Sequence, residues 1–244
     1  MIHKFASETL PAFLSRLTPS PAENDWQAFD LLHAADMAKA PHRRPLLFGS
    51  RERLVGRPAQ LFRRLSRGTR RPPGRRRTRQ AWLGMVHDLK PFGVKGQIAG
   101  VNAYVNRASH VDHIAAYGKA TRWAAPLRYF ACADGSEDYA IAKYMSLRFL
   151  GFHPERLRLV WLEGGTQGEA HAVLTVALDG RTVVLDSRSS DIRIGDHAER
   201  AMPYCSLNGR RFSVHWDPAN PKSAKSVLGF LERSLGQEGA SLLV

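Results

Sequence analysis

Helical segments followed by a run of short strands predict an α+β fold built on an antiparallel sheet. Two observations carry this. Apolar residues recur at helical spacing over about Gln97–Ser109, through Ile98, Val101, Tyr104 and Val105, and again over Ser136–Phe149. After Gly151 the period changes: Leu157–Leu162, Ala170–Leu178 and Arg181–Leu185 read as strands. Asp179-Gly180 joins the last two, and Asp-Gly between apolar runs signals a two-residue hairpin, because a type I′ turn needs positive φ at both central positions.

The other elements follow in chain order. Residues 1–20 form at most a short helix, interrupted at Pro11 and ended by Pro19 and Pro21. Asn24 is an N-cap for a helix through Trp26, Phe29, Leu32 and Met37 to Ala40. Residues 49–79 are rich in Arg, Gly and Pro and poor in apolar side chains, so they read as a linker or mobile arm. The segment Tyr117–Phe130 is loop-like. Ile141, Met145 and Phe149 mark an apolar face on the Ser136–Phe149 helix, which stops at Gly151, a C-cap position. A fourth strand is expected around Arg211–Trp216 and a closing amphipathic helix over Ser223–Leu235. The organisation is thus an N-terminal helical extension (1–48), the Arg-rich arm (49–79) and one domain (80–244).

Charge is concentrated. The 244-residue chain carries 36 Lys+Arg against 22 Asp+Glu, a formal +14. Residues 51–79 hold 12 of the arginines against one acid, Glu52. Such a segment is either a solvated insertion or a patch for nucleic acid or an anionic membrane surface. No aromatic interleaving, RNA-binding signature or zinc spacing sharpens the second reading. No apolar run approaches the roughly 18 residues of a transmembrane helix, and no signal-peptide pattern is evident, which makes the cytoplasm the default compartment. Cys132 and Cys205 form neither a disulfide framework nor a zinc spacing and read as small buried apolar residues.

The hairpin places two functional side chains. Leu178 faces Arg181, so paired numbers sum to 359, setting Val173 opposite Asp186 and His171 opposite Arg188. Residues two apart share a face. His171 and Asp186 are then diagonal neighbours at about 7–8 Å between Cα atoms, within reach of a hydrogen bond. A catalytic imidazole needs such a partner to fix its tautomer.

The motif Asp134-Gly135-Ser136-Glu137-Asp138-Tyr139-Ala140-Ile141-Ala142-Lys143-Tyr144 precedes that pair. With Trp123-Ala124-Ala125-Pro126, Pro154-Glu155-Arg156-Leu157, Ala170-His171-Ala172-Val173-Leu174, Val184-Leu185-Asp186 and Tyr204–Asn208, it resembles the bacterial transglutaminase-like cysteine peptidases. That family includes periplasmic proteases that clip large surface adhesins. The resemblance spans about Val101 to Trp216. It implies a papain-like or transglutaminase-like core whose nucleophile-position helix packs on the antiparallel sheet, and a triad of nucleophile, His and Asp at Ser136, His171 and Asp186. It also implies export to the periplasm, and calcium on acids next to the nucleophile, here Asp134, Glu137 and Asp138.

Two departures accompany it. Ser136 stands where the family has cysteine, and Gly135 stands where an acid precedes the nucleophile. A thiol at a helix start facing an imidazole ionises readily, whereas a hydroxyl needs a better-placed base. Cys132, four residues upstream, is a poor substitute. The leading expectation is therefore a pseudoenzyme that binds a protein or peptide, with Ser136 acting as an N-cap. The alternatives are an active Ser136-His171-Asp186 hydrolase, and an acidic-partner binder acting through residues 51–79.

Overall fold

The strand-forming runs all enter one antiparallel sheet, and its order brings the two ends of the domain together. The computed structural model describes residues 36–41, 51–56, 75–107, 135–163, 170–178, 180–194, 203–208, 211–217, 219–220, 226–227 and 229. These contain strand β1 (Arg51–Gly56), helices α1 (Arg75–Leu89), α2 (Val94–Arg107) and α3 (Ser136–Phe149), and strands β2 (Leu157–Leu162), β3 (His171–Leu178), β4 (Arg181–Leu185), β5 (Arg193–Ile194), β6 (Pro203–Leu207) and β7 (Phe212–Trp216). The seven strands lie in the order β1-β7-β6-β2-β3-β4-β5. Every neighbouring pair is antiparallel. The α+β architecture is the one the sequence predicts.

The hairpin register holds. Leu178 pairs with Arg181 and Leu174 with Leu185, and Gly180 takes φ +80. The ladder stops at Leu185, so the 173–186 and 171–188 pairings are not ladder pairs, and the chain turns away at Asp186 instead. His171 pairs on its other side with Leu162 of β2.

Both sheet faces are buried in the middle strands. Leu157, Leu159, Trp161, Leu174, Val176 and Leu185 join the main core with α2 and α3. Val160, Leu162, Val173 and Val184 form a second cluster on the opposite face. α3 packs on β3 and β2, and α2 packs on α3. Covered from two sides, α3 buries far more than the expected stripe of Ile141, Met145 and Phe149. Tyr139, Ala140, Ile141, Ala142, Tyr144 and Leu147 are buried, while Phe149 is 52% exposed, with its ring edge-on to Trp82. α3 ends in a Schellman arrangement: Phe152 N–H donates to Leu147 O at 3.1 Å and Gly151 N–H to Arg148 O at 3.1 Å, with Gly151 at φ +99.

Two elements arise within the stretch read as a linker. β1 is the sheet edge beside β7, and α1 begins at Arg75 and carries Trp82, Met85, Val86 and Leu89 into the core. Helical periodicity in α1 appears only beyond Arg79, behind a run of arginines that hid it. β5 has only two residues, too few to show a period, and β6 coincides with the Tyr204–Asn208 segment of the resemblance but opens on a proline. Most of the expected helices at 24–40 and 223–235, the loop 117–130, Cys132 and Asp134 lie outside the described residues.

The described N-terminal piece is tied to the sheet by one buried guanidinium. Arg156, 3% exposed, donates to Asp36 Oδ2 at 3.1 Å, Asp36 O at 2.9 Å, Lys39 O at 3.0 Å and Ala177 O at 3.3 Å. Removing one side of a buried charged network strands the other. Arg156→Ala is expected to cost about 3–5 kcal/mol in denaturant unfolding. Asp36→Asn, which leaves the carbonyl acceptors in place, should cost clearly less.

Candidate active site

α3 starts at Ser136 because Gly135 is extended (φ −146, ψ 171) and serves as the N-cap, with no side-chain cap bond. Ser136 is therefore the first helical residue and not the cap expected from its type. A helix N-cap accepts bonds from its own helix, whereas the Ser136 hydroxyl faces the sheet. β3 outruns its ladder with β4, and residues 171–173 have no β4 partner. The N–H of Ala172 donates instead to Ser136 Oγ at 2.9 Å. This bond sets Ser136 against the residue that follows His171.

The hydroxyl proton has a second partner. Ser136 Oγ donates to Glu137 Oε2 at 3.4 Å. Glycine at 135 allows this, because a Cβ there would stand 2.8 Å from Glu137 Oε2. Among the described residues no hydrogen bond joins Ser136 to His171.

The predicted pair forms. His171 Nε2 lies 2.7 Å from Asp186 Oδ1, with the two side chains 8% and 16% exposed. A carboxylate only accepts, so Nε2 carries the proton and Nδ1 is the basic nitrogen of the neutral ring. Burial alone would raise the Asp186 carboxyl. The hydrogen bonds from His171 and from Arg188 N–H (2.9 Å), with the charges of both side chains, outweigh burial and hold it below the ordinary carboxylate value. Asp186 thus contributes stability at neutral pH that is lost as pH falls through its lowered pKa.

Of the calcium candidates, Glu137 and Asp138 occupy the first turn of α3, with Asp138 buried at 6% exposure, and Asp134 lies outside the described residues. Calcium takes six to eight oxygens. Among the described residues no group of three His, Cys, Asp or Glu side chains converges on a metal position. The described acids alone do not complete a calcium shell.

Three residues near Asp186 carry no role in the sequence reading. Lys143 is fully buried, and among the described residues its Nζ finds no hydrogen-bond partner. Burial depresses its pKa to about 7, partly opposed by the charge of Asp186. Asn102 and Asn106 on α2 reach the turn after β4. A lysine inside the buried run Ile141–Tyr144, and two asparagines four apart on an apolar helical face, were the signals available. Cys205 is buried, as expected, and desolvation pushes its thiol far up. Among the described residues no helix is long and apolar enough to cross a membrane.

A profile of the bacterial transglutaminase-like cysteine proteinases (BTLCP) matches residues 90–217. Similar solved structures include Legionella pneumophila LapG, at 21% identity and TM-score 0.51, covering 78% of this chain and 98% of that one. Its calcium-bound form gives 22% identity and TM-score 0.50, covering 70% and 98%. Its EGTA-treated form gives 20% and 0.50, covering 75% and 100%. At these identities the likeness establishes the papain-like, transglutaminase-like fold. No curated protein sequence matches the chain.

Lys143 yields a signed pH dependence. The folded protein releases this proton near 7, while the unfolded chain holds it to about 10.5. The unfolded state binds more protons across that window, so this residue makes stability rise with pH there. Lys143→Met is expected to raise the thermal midpoint at pH 7 and to remove the gain between pH 7 and 10. An equal gain in the variant would contradict the assignment.

Proposed function

The chain belongs to the bacterial transglutaminase-like cysteine proteinase family, and from that premise we propose that it keeps the family's site frame as a polypeptide-binding module and does not cut. The observation carrying this reading is the pair of bonds at Ser136: its oxygen takes the Ala172 N–H, and its proton goes to Glu137 rather than to an imidazole.

A serine nucleophile must hand its proton to neutral His as it attacks. Its oxygen then gains negative charge, which catalysis stabilises with donors. Here a carboxylate lies 3.4 Å away, and its charge opposes an alkoxide there. A misplacement of about 1 Å in such a site can cost on the order of 10²-fold. A polypeptide bound at the site would meet the start of α3, whose cap position supplies no side chain.

A second reading, a serine hydrolase acting through Ser136, His171 and Asp186, draws support from the 2.7 Å His171–Asp186 bond, which leaves Nδ1 as a base. Calcium at Asp134, Glu137 and Asp138 is separate from both, and no step here depends on it. The Arg-rich segment as a contact for nucleic acid or an anionic surface is a further, independent proposal. Because β1 lies within 51–79 and α1 begins there at Arg75, its test is deletion of 57–74, which spares both elements. The salt-dependent binding of an acidic partner should drop if the proposal holds.

A fluorophosphonate probe with mass-spectrometric site mapping tests the main reading. The native protein is expected to stay unlabelled at Ser136. Labelling there that disappears in Ser136→Ala would establish the hydrolase instead. In parallel, binding to an array of unstructured peptides is expected to fall at least tenfold in Gly135→Trp, which places an indole at the cap position before the helix start. Undiminished binding would remove this site as the docking place.

A further inference from the structure

We propose that Asn102 and Asn106 are positioning residues: one helical turn apart on α2, they grip the backbone of the turn 186–190 and, through Asp186, fix the ring of His171. The proposal rests on the His171–Asp186 pair being the working part of the site described above.

Asp186 lies beyond the last ladder residue of β4, so the sheet does not hold it. The amide of Asn106 does. Its Nδ2 donates to Asp186 O at 2.9 Å and to Ser189 O at 2.8 Å. Asn102 Nδ2 donates to Ser190 O at 3.0 Å and Ser189 O at 3.5 Å. All four bonds end on carbonyl oxygens, with Ser189 O shared, so the nitrogen ends of both amides must face the turn. The turn is braced internally by Arg188 N–H on Asp186 Oδ1 and by Asp191 N–H on Ser189 Oγ at 3.0 Å. Asp186 is thus held by its carbonyl from α2 and by its carboxylate from Arg188 and His171.

A second observation is the cost the fold bears for this grip. Asn102 Oδ1 and Asn106 Oδ1 are buried, and among the described residues neither has a hydrogen-bond partner. Asn102 is 0% exposed on a helix whose neighbouring faces are core. Buried unsatisfied carbonyls are rare and call for a reason. Asparagine is also a poor helix-interior residue. Apolar side chains would serve packing alone better at both places. What only an amide supplies there is a fork of two N–H donors.

The test reads His171 without requiring any chemistry at Ser136. In the full-length protein labelled with nitrogen-15 histidine, the Nε2–H proton donated to Asp186 should resonate far downfield, assigned by its loss in His171→Gln. Asn106→Leu and Asn102→Leu remove the donors at similar volume. Both are expected to move this resonance upfield and to speed its exchange with water at least tenfold, with circular dichroism unchanged. Gln97→Leu, which loses only an exposed bond to Lys90 O, should leave it in place. Folded leucine variants with unchanged shift and exchange would overturn the clamp while leaving the His171–Asp186 pair intact. No downfield proton in the unsubstituted protein would overturn the pair and the clamp together. Should both leucine variants fail to fold, Asn106→Ala removes the donors with a smaller side chain, and an unchanged resonance in it would likewise overturn the proposal.

Discussion

The turn between Leu178 and Arg181, with Gly180 at φ +80, governs the far end of its hairpin. With that turn in place, the β3–β4 register has no freedom, since a slip of one residue would send every side chain to the wrong face. His171 and Asp186 then emerge at neighbouring positions beyond the last paired residues. Because β4 stops at Leu185, the end of β3 is left with an N–H that no strand takes. Ser136 takes it. One hairpin therefore joins the imidazole, its carboxylate and the helix start, although they are far apart in sequence.

The chemistry of the site turns on where two protons lie. The imidazole proton is fixed on Nε2 by a carboxylate that is itself held ionised against the effect of burial. The hydroxyl proton of Ser136 points to Glu137. A thiol in that place would ionise beside the imidazole with little help. A hydroxyl would need its proton turned toward Nδ1 and the Glu137 carboxylate turned away. Gly135 permits the present placement of that carboxylate, since a Cβ there would stand 2.8 Å from Glu137 Oε2.

Local chemistry made much of this legible in the sequence. The Asp-Gly turn, the apolar strand runs and Gly151 fixed β2, β3, β4 and the end of α3, because each depends on backbone preference or period. The His171–Asp186 pair followed by counting. Less legible were features set by tertiary context. The start of α1 is all arginine, and β1 has meaning only beside β7. The apolar face of α3 is wider than its periodicity implies because α2 covers a second side. Ser136 has a good N-cap side chain, yet Gly135 holds that position and the hydroxyl serves the sheet. Lys143 and the two asparagines sit in helices where sequence shows only periodicity, and their partners lie roughly 40 to 90 positions away along the chain.

The central claim is that the imidazole–carboxylate frame addresses position 136, where a hydroxyl stands. Ultraviolet thiolate absorbance against pH, measured on Ser136→Cys with and without His171→Ala, tests it most directly. The account requires the introduced thiol to ionise below its ordinary value of about 8.5, and that depression to vanish when His171 is removed. Identical titrations of the two variants near the ordinary value would mean that His171 does not address position 136, and the frame would not be the working unit described here.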